Sequence, residues 1–230
     1  LSGDYPATCG EQIWSLGVLS HRDFVGAVFR DLWRELCGSF TGEVRDGIAP
    51  LDATPIAAIE SPPLIDLMRD INKFSNNVMA RTLFLALANE RPATTAGAAD
   101  AVRRWLEQNN IPARELVLDN GAGLSRHERI APATLALILQ HMAAGPLMPE
   151  FVSSLPIVAI DGTMKKRLTD TPVAGRAHIK TGYLEGVRTM AGYVRKTDGE
   201  DVMVVFFVNH PNARRAQAAQ DALLNWVAAH

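Results

Sequence analysis

The chain has 230 residues with a formal net charge of −2, and 47% of its residues are hydrophobic and 21% charged. This length and balance predict one or two folded domains with a hydrophobic core, and they exclude a disordered, collagen-like or coiled-coil chain. The near-neutral charge disfavours nucleic acid or an anionic membrane as a partner. No apolar run approaches the ~20 residues of a transmembrane helix.

The first 60 residues combine a short strand-like run, one helix and a long loop. Residues 12–19 favour a strand. Apolar residues at helical spacing then predict an amphipathic helix over 23–36, with Asp23 as its N-cap and Gly38 after its end. Gly, Pro and Thr are frequent in 39–63, which predicts a loop. Two cysteines, Cys9 and Cys37, exclude a disulfide framework and a zinc site, and whether they pair is left open.

Helical periodicity dominates the middle of the chain. A helix is expected over 64–71, with Pro62 or Pro63 in its first turn. The next helix, which is expected to begin near Ser75, is the most apolar of the chain and is therefore predicted to be buried on most of its circumference. Further helices are expected over 98–108, 132–143 and 148–154, with a short strand at 115–118.

The last third of the chain has the pattern of strands. Three strand-like segments at 176–184, 187–195 and 202–208 are separated by turn residues, which predicts an antiparallel meander. A final amphipathic helix over 213–229 is expected to pack against that sheet. Because helices come first and strands last, the fold class is predicted to be α+β rather than alternating βαβ.

Chemistry is first suggested by Lys180-Thr181-Gly182 in the first of these strands. Period-two alternation places Lys180 and Gly182 on one face of the strand and Thr181 on the other. A glycine weakens a strand unless something must approach its backbone closely. A substrate lying along the strand would do so, with Lys180 as the positive charge for an anionic end group. The alternative is a strand whose lysine faces water and whose glycine begins a turn.

Ser75-Asn76-Asn77 is the second candidate. By itself it is typical of a helix start, because serine is a preferred N-cap residue. Followed by Lys180-Thr181-Gly182, it matches the second and third elements of the serine acyl-transfer signature Ser-x-x-Lys, Ser-x-Asn, Lys-Thr-Gly.

Other kinds of site have no support in the sequence. The six histidines form no zinc-binding pair, and neither a Gly-rich phosphate loop nor a Gly-x-Ser-x-Gly elbow is present, so no metal or cofactor is expected. The cluster Lys165-Lys166-Arg167 is typical of a solvated helix face. A small hydrolase that uses Ser125 or Ser154 with a histidine is a further alternative, although no spacing supports it.

Five ordered blocks widen the match. The blocks are Ser61-Pro62-Pro63-Leu64, Lys73 to Asn77 with Ala80, Asn120 to Arg126, Ser154-Leu155-Pro156 with Asp161-Gly162-Thr163, and Lys180-Thr181-Gly182 with Ala191-Gly192-Tyr193. Together they resemble the class C low-molecular-mass penicillin-binding proteins, which are the D-alanyl-D-alanine carboxypeptidases and endopeptidases of the bacterial cell wall. The resemblance runs from about Ser15 to the C-terminus.

One element of the family pattern is missing, because no lysine of this chain is preceded by serine at the third position before it. In the family this Ser-x-x-Lys motif lies near the N-terminus, on a central helix of the transpeptidase-like domain. The resemblance therefore implies that residues 21–230 are the C-terminal part of the transpeptidase/β-lactamase-like domain and residues 1–20 the return from an inserted domain. Without the central helix, an open groove beside Val78 or a sheet edge, or a second chain filling it, is expected.

For the complete enzyme, the resemblance implies acyl transfer through a serine ester on peptidoglycan stem peptides that end in D-Ala-D-Ala, a step that β-lactams trap. Ser75 would relay a proton to the leaving amine, and Lys180 would support that relay electrostatically. Asn77 would bind the acyl-side amide of the substrate. The chain by itself is expected to be inactive, and the family implies a periplasmic location.

The strand would supply the substrate-binding residues. Thr181 would help to bind the terminal carboxylate, although the alternation along the strand points its side chain away from Lys180. Beyond Gly182, the backbone N–H of Tyr183 would be one oxyanion donor. The family usually has Thr or Ser after Lys-Thr-Gly, so the effect of Tyr183 on substrate specificity is left open. The choice between carboxypeptidase and endopeptidase activity is also left open. The alternative is a non-catalytic peptidoglycan-binding or scaffold module derived from the same fold.

Overall fold

The structure is a computed structural model that describes residues 4–6, 8, 10 and 17–230. It divides into two units, Leu1–Ile59 and Glu60–His230. The expected return segment at 1–20 stays a prediction, because most of it and most of the predicted strand at 12–19 lie outside the described residues. Cys9 lies outside them too, so the question whether it pairs with the exposed Cys37 stays open.

In the first unit, the described residues include the helix α1 (His21–Glu35), which is followed by the predicted loop. The N-cap is Ser20 rather than Asp23, whose backbone N–H donates to the Ser20 hydroxyl at 3.1 Å. That hydroxyl in turn donates to the Asp23 carboxylate at 2.6 Å. The prediction was wrong by one helical turn because both residues take part in the same reciprocal cap.

The second unit contains the other helices close to their predicted positions. In chain order these are α2 (Leu64–Phe74), α3 (Asn77–Ala86), α4 (Thr95–Gln108), α5 (Pro132–Ala144), α6 (Met148–Ser154) and, at the C-terminus, α7 (Gln217–Ala229). The predicted strand at 115–118 is reduced to one bridge between Val117 and Arg129. Among the described residues, no helix is both long enough and apolar enough to cross a bilayer.

The predicted antiparallel meander is confirmed. Strands β1 (Ala177–Leu184), β2 (Val187–Arg195) and β3 (Asp201–Asn209) lie in the order β1-β2-β3. A hairpin turn with Gly186 at φ 75° joins the first two strands. Because β1 is at the edge of this sheet, one row of its backbone groups faces away from β2.

The main core lies between the sheet and α7, as the sequence predicts. Ile179, Val194 and Leu224 are each 0% exposed, and they pack in one cluster. The opposite face of the sheet packs on α5 and α6, where Tyr193 contacts Leu139 and Leu155. The three-stranded antiparallel sheet with its terminal helix and a layer of helices on the other face confirms the α+β prediction.

The prediction that α3 is buried on most of its circumference was wrong. Phe84 is its one fully buried residue, whereas Val78 is 77% exposed. Together α2 and α3 form an open apolar groove of about 390 Å³, the feature expected beside Val78. It is lined by Ser61, Pro62, Leu64, Leu67, Ile71, Val78, Met79, Thr82, Leu83 and Ala86.

The cluster at 165–167 also differs from its prediction. Lys165 and Lys166 are exposed as expected, but they lie in a turn that follows a short 3-10 helix, Gly162–Met164. Arg167 is largely buried and binds the α7 carboxylate of Asp221 at 2.5 Å. A sequence run of three cations does not reveal this pairing, because the partner lies 54 residues away.

Candidate active site

A cavity of about 680 Å³ opens where the turn between α2 and α3, the glycine-rich loop at 121–124, α5 and the edge strand β1 meet. All six predicted site residues line it: Ser75, Asn77, Lys180, Thr181, Gly182 and Tyr183. The structure therefore brings together residues that are about one hundred positions apart in the sequence.

Ser75 is not the N-cap of α3, contrary to the simplest interpretation of the sequence. It ends α2 in the left-handed conformation, at φ 55° and ψ 47°. Asn76 caps α3 instead, with its side-chain oxygen accepting the Met79 N–H at 3.1 Å. A left-handed non-glycine residue costs on the order of 1 kcal/mol, and such strain is typical of functional sites.

Lys180 contacts Ser75 directly. Its Nζ donates to the Ser75 hydroxyl oxygen at 2.7 Å and to the Thr181 carbonyl at 2.8 Å. The two side chains therefore meet in one cleft, as the relay implied for them requires, and the alternative that Lys180 faces water was wrong. Burial lowers the pKa of Lys180 below its ordinary value of 10.5, because leaving water disfavours the charged form.

Asn77 is held by the glycine-rich loop. In the orientation that satisfies its side-chain amide, Nδ2 donates to the carbonyls of Ser75 at 3.0 Å and Ala122 at 3.2 Å. Glu128 holds this loop through hydrogen bonds, because its Oε1 accepts from the backbone N–H groups of Asn120 and Gly121, each at 3.2 Å. Glu128 is a positioning residue that the sequence did not single out.

The edge of β1 beside Lys180 has no strand partner in the described part of the chain, and the Thr181 carbonyl there accepts from Lys180 Nζ at 2.8 Å. At the start of the strand, Ile179 N–H donates to Pro156 O at 2.8 Å, and Ala177 O accepts from Val158 N–H at 2.9 Å. Both groups face away from β2. The period of two carries the backbone groups of Thr181 and Tyr183 to the same edge.

The Thr181 side chain reaches the cavity although it lies on the other face of the strand from Lys180. The cavity continues past the strand edge, so that side chains from both faces line it. Thr181 Oγ1 lies 3.4 Å from Thr163 Oγ1. Thr163 also lines the cavity, and the role of Thr181 in binding a carboxylate stays a prediction.

Tyr183 forms an aromatic wall at the cavity mouth. The residue is 57% exposed, and the Arg188 guanidinium lies 4.0 Å from its ring centroid. Arg188 is the cross-strand partner of Tyr183, a relation that strand pairing fixes and that the sequence pattern alone did not reveal.

An ion pair between the buried Lys73 and the partly exposed Asp161 lies close to Ser75. Lys73 is 6% exposed, and its Nζ contacts the carboxylate of Asp161 at 2.7 Å and the carbonyl of Leu155 at 2.5 Å. Asp161 also accepts the Ile157 N–H at 2.7 Å. This pair ties the turn that carries Ser75 to the segment that pairs with β1.

The other two candidate serines do not enter this cavity. Ser154 is 0% exposed, and its hydroxyl donates to Phe151 O at 2.7 Å and accepts from Asn72 at 2.8 Å. Ser125 accepts the backbone N–H of His127 at 3.0 Å. Neither hydroxyl is bonded to a histidine ring, so a small serine hydrolase with a Ser-His pair at these positions has no structural support.

Comparison with known proteins supplies the context for this geometry. The chain is 32% identical over 200 residues to a D-alanyl-D-alanine carboxypeptidase of Haemophilus influenzae, which covers 85% of the chain and 42% of the relative. It is 33% identical over 182 residues to a carboxypeptidase of Mycobacterium tuberculosis, which covers 74% of the chain and 39% of that relative. The chain thus spans less than half the length of these relatives.

Solved structures agree. Penicillin-binding protein 4 of Haemophilus influenzae, crystallised with a β-lactam, superposes with a TM-score of 0.77 and 28% identity, covering 91% of this chain and 53% of that one. A predatory endopeptidase of Bdellovibrio bacteriovorus shares the fold, with a TM-score of 0.61 and 16% identity. The sequence profile of one family matches residues 1–230 in full. The chain belongs to the D-Ala-D-Ala carboxypeptidase 3 (S13) family.

Proposed function

We propose that this chain is the C-terminal part of a serine D-alanyl-D-alanine carboxypeptidase or endopeptidase that acts on peptidoglycan stem peptides and is acylated by β-lactams. The observation that carries the proposal is the 2.7 Å contact between Lys180 Nζ and Ser75 Oγ beside β1, an outer strand of the sheet. Membership of the S13 family supports the reaction class.

The nucleophile in this proposal is the serine of a Ser-x-x-Lys motif from the part of the relatives that this chain does not span. Its oxygen attacks the carbonyl carbon of the penultimate D-alanine, and the C–N bond to the terminal D-alanine breaks. Ser75 passes a proton to the departing nitrogen and regains one from the proton that the nucleophile's hydroxyl loses, while the Lys180 ammonium stabilises the negative charge that develops on the relay. Water then attacks the ester, restores the serine and releases the shortened peptide.

The substrate lies along β1 as an added strand. The backbone N–H of Tyr183 is one oxyanion donor, and the nucleophile's own N–H is the other. Because loss of one such donor costs ~2.7 to 4 kcal/mol of transition-state stabilisation, this chain alone is a poor catalyst. Asn77 binds the acyl-side amide, and Thr181 binds the terminal carboxylate beside Lys180.

The rest of the protein also covers the groove between α2 and α3. Val78 and Leu64 are 77% and 55% exposed there, and an apolar groove of this kind is typical of an interface. The occupant that fits is the helix carrying Ser-x-x-Lys, because α3 starts two residues after Ser75 and a helix seated there stands next to the relay. The periplasm is the proposed location, since the substrate belongs to the cell wall.

Labelling with fluorescent penicillin tests the proposal. The 230-residue chain is expected to form no covalent adduct, whereas the longer protein is labelled at the serine of an upstream Ser-x-x-Lys. Reading the codons before Leu1 identifies that motif. Labelling of any serine within this chain would contradict the proposal, and a longer protein without the motif, or one that stays unlabelled, would favour the non-catalytic module.

A further inference from the structure

A second cavity, of about 540 Å³, lies near the other end of β1. It shares no lining residue with the cavity around Ser75, because α6 stands between them. Phe151 and Leu155 of that helix face the site cavity, whereas Met148 and Val152 line the second one. The other lining residues of the second cavity are Gly175, Arg176, His178, Tyr193, Arg195 and Asp201.

The walls of this cavity carry one uncompensated positive charge. Arg195 is neutralised by Asp201, which it binds with Nε at 2.8 Å and Nη2 at 2.6 Å. Arg176 donates to the carbonyl of Lys196 at 3.3 Å, and within the described part of the chain it has no carboxylate partner. Most of its guanidinium donors remain available to a ligand.

His178 stands beside this charge in a fixed tautomer. Its Nδ1 lies 2.9 Å from the carbonyl of Val152, and since a carbonyl only accepts, Nδ1 carries the proton and Nε2 is left for another partner. Burial lowers the pKa of His178, the charge of Lys73 lowers it further, and the Val152 bond, Asp161 and Asp201 oppose both effects. The ring is therefore neutral at pH 7, and an added anion favours its protonation.

We propose that this cavity binds a small carboxylate on the Arg176 guanidinium beside the His178 ring, with the alkyl part of the ligand against Met148 and Val152. One net positive charge suits a monoanion, and the nearby carboxylate of Asp201 repels a phosphate dianion. Arginine binds a carboxylate with two parallel hydrogen bonds, which adds geometric specificity. The site is independent of the proposed acyl transfer because it uses neither Ser75 nor Lys180.

Acetate titration followed by the imidazole Cε1–H signals tests this site on the 230-residue chain. The His178 signal, assigned with His178→Gln, is expected to move saturably toward the imidazolium position, and its pKa to rise, while the other histidine signals stay in place. Arg176→Ala is expected to weaken acetate binding at least ~10-fold, the loss typical of one charge-assisted pair.

Arg114→Ala is the matched control, because Arg114 is also exposed and its loss changes the net charge equally. It is expected to leave the acetate affinity unchanged. Arg176→Lys, which keeps the charge but loses the paired donors, is expected to bind with intermediate affinity. Equal weakening by Arg176→Ala and Arg114→Ala, or an unmoved His178 signal, would overturn the site. Inorganic phosphate that binds as tightly as acetate at the same ionic strength would overturn the choice of a carboxylate.

Discussion

Two sides of the second unit differ in how they bury their apolar residues. Between the sheet and α7, Val194 and Leu224 are 0% exposed. Between α2 and α3, Leu64 and Val78 are 55% and 77% exposed. Both regions have the apolar periodicity of a core, yet only the first is closed within the chain.

The difference shows which side of the unit finds its apolar partner within the described residues. The sheet packs against α7, which follows it in the same chain, so the burial of these apolar residues stabilises the fold of this chain. The groove belongs to the side where Ser75 meets Lys180, which is also the side where the proposed nucleophile must enter. An open apolar face beside a polar relay is the arrangement that an inserted helix would cover.

The largest expected effect contrasts these two sides directly. Leu224→Ala, in the closed core, is predicted to lower the free energy of unfolding by ~3 to 4 kcal/mol, because it removes buried methyl groups and leaves a cavity. Val78→Ala, in the groove, is predicted to cost less than ~0.5 kcal/mol. Urea denaturation measures both, and equal losses would show that the groove is not open.

The ion pair between Lys73 and Asp161 gives the next effect. Lys73→Met leaves the Asp161 carboxylate without its cation, and we expect a loss of ~2 to 3 kcal/mol in unfolding free energy, discounted because Asp161 is 36% exposed. Arg103→Met, which breaks an exposed pair with Asp100, is the control and should cost under ~1 kcal/mol. A double-mutant cycle with Asp161→Asn should recover most of the Lys73 loss as coupling.

Alkaline pH probes the closed side. Burial raises the pKa of Tyr193 to about 12, above the ordinary ~10 of an unfolded tyrosine. Between pH 10 and 12 this tyrosine ionises in the unfolded chain but not in the folded one. The free energy of unfolding therefore falls by roughly 2 kcal/mol as the pH rises from 10 to 12. Tyr193→Phe should remove this loss while Tyr183→Phe, at an exposed ring, keeps it. An unchanged pH dependence in Tyr193→Phe would contradict the assignment.

The smallest effect concerns the relay itself. Burial lowers the pKa of Lys180, so the unfolded chain holds the lysine proton more tightly than the folded chain does. Keeping Lys180 charged therefore reduces the stability of the folded chain at pH 7, and this loss disappears as the pH rises toward 10.5 and the lysine loses its proton. Lys180→Met is therefore predicted to stabilise the chain by ~0.5 to 1 kcal/mol, as strained functional residues commonly do when replaced. Lys166→Met, at an exposed lysine, should have no such effect, and a destabilised Lys180→Met would refute the prediction.

Much of this structure is predictable from the sequence because its signals are local. The strand β2 and the helix α6 have the predicted bounds, since alternation, helical spacing and turn residues all lie within a few positions. The ordered motifs also placed Ser75 and Lys180 on one cleft. The predicted burial of α3 was wrong. An apolar sequence indicates that a helix can pack against a partner, but it does not show that the partner lies in the same chain.

What the sequence did not reveal depends on long-range pairing. The Lys73–Asp161 contact joins residues 88 positions apart, and a lysine near a helix end is usually solvated. The hydrogen bonds from the Asn120 and Gly121 N–H groups to Glu128 require a loop conformation that no periodic pattern in the sequence predicts. Ser75 was taken for a cap because residue preference does not distinguish the last residue of one helix from the first of the next.

The most direct test is the rate constant of acylation by fluorescent penicillin in the proposed longer protein. If Ser75 and Lys180 form the proton relay, Ser75→Ala and Lys180→Ala each slow acylation by at least ~100-fold, while the exposed Lys165→Ala does not. Acylation at the wild-type rate in both variants, with the fold intact, would contradict the relay.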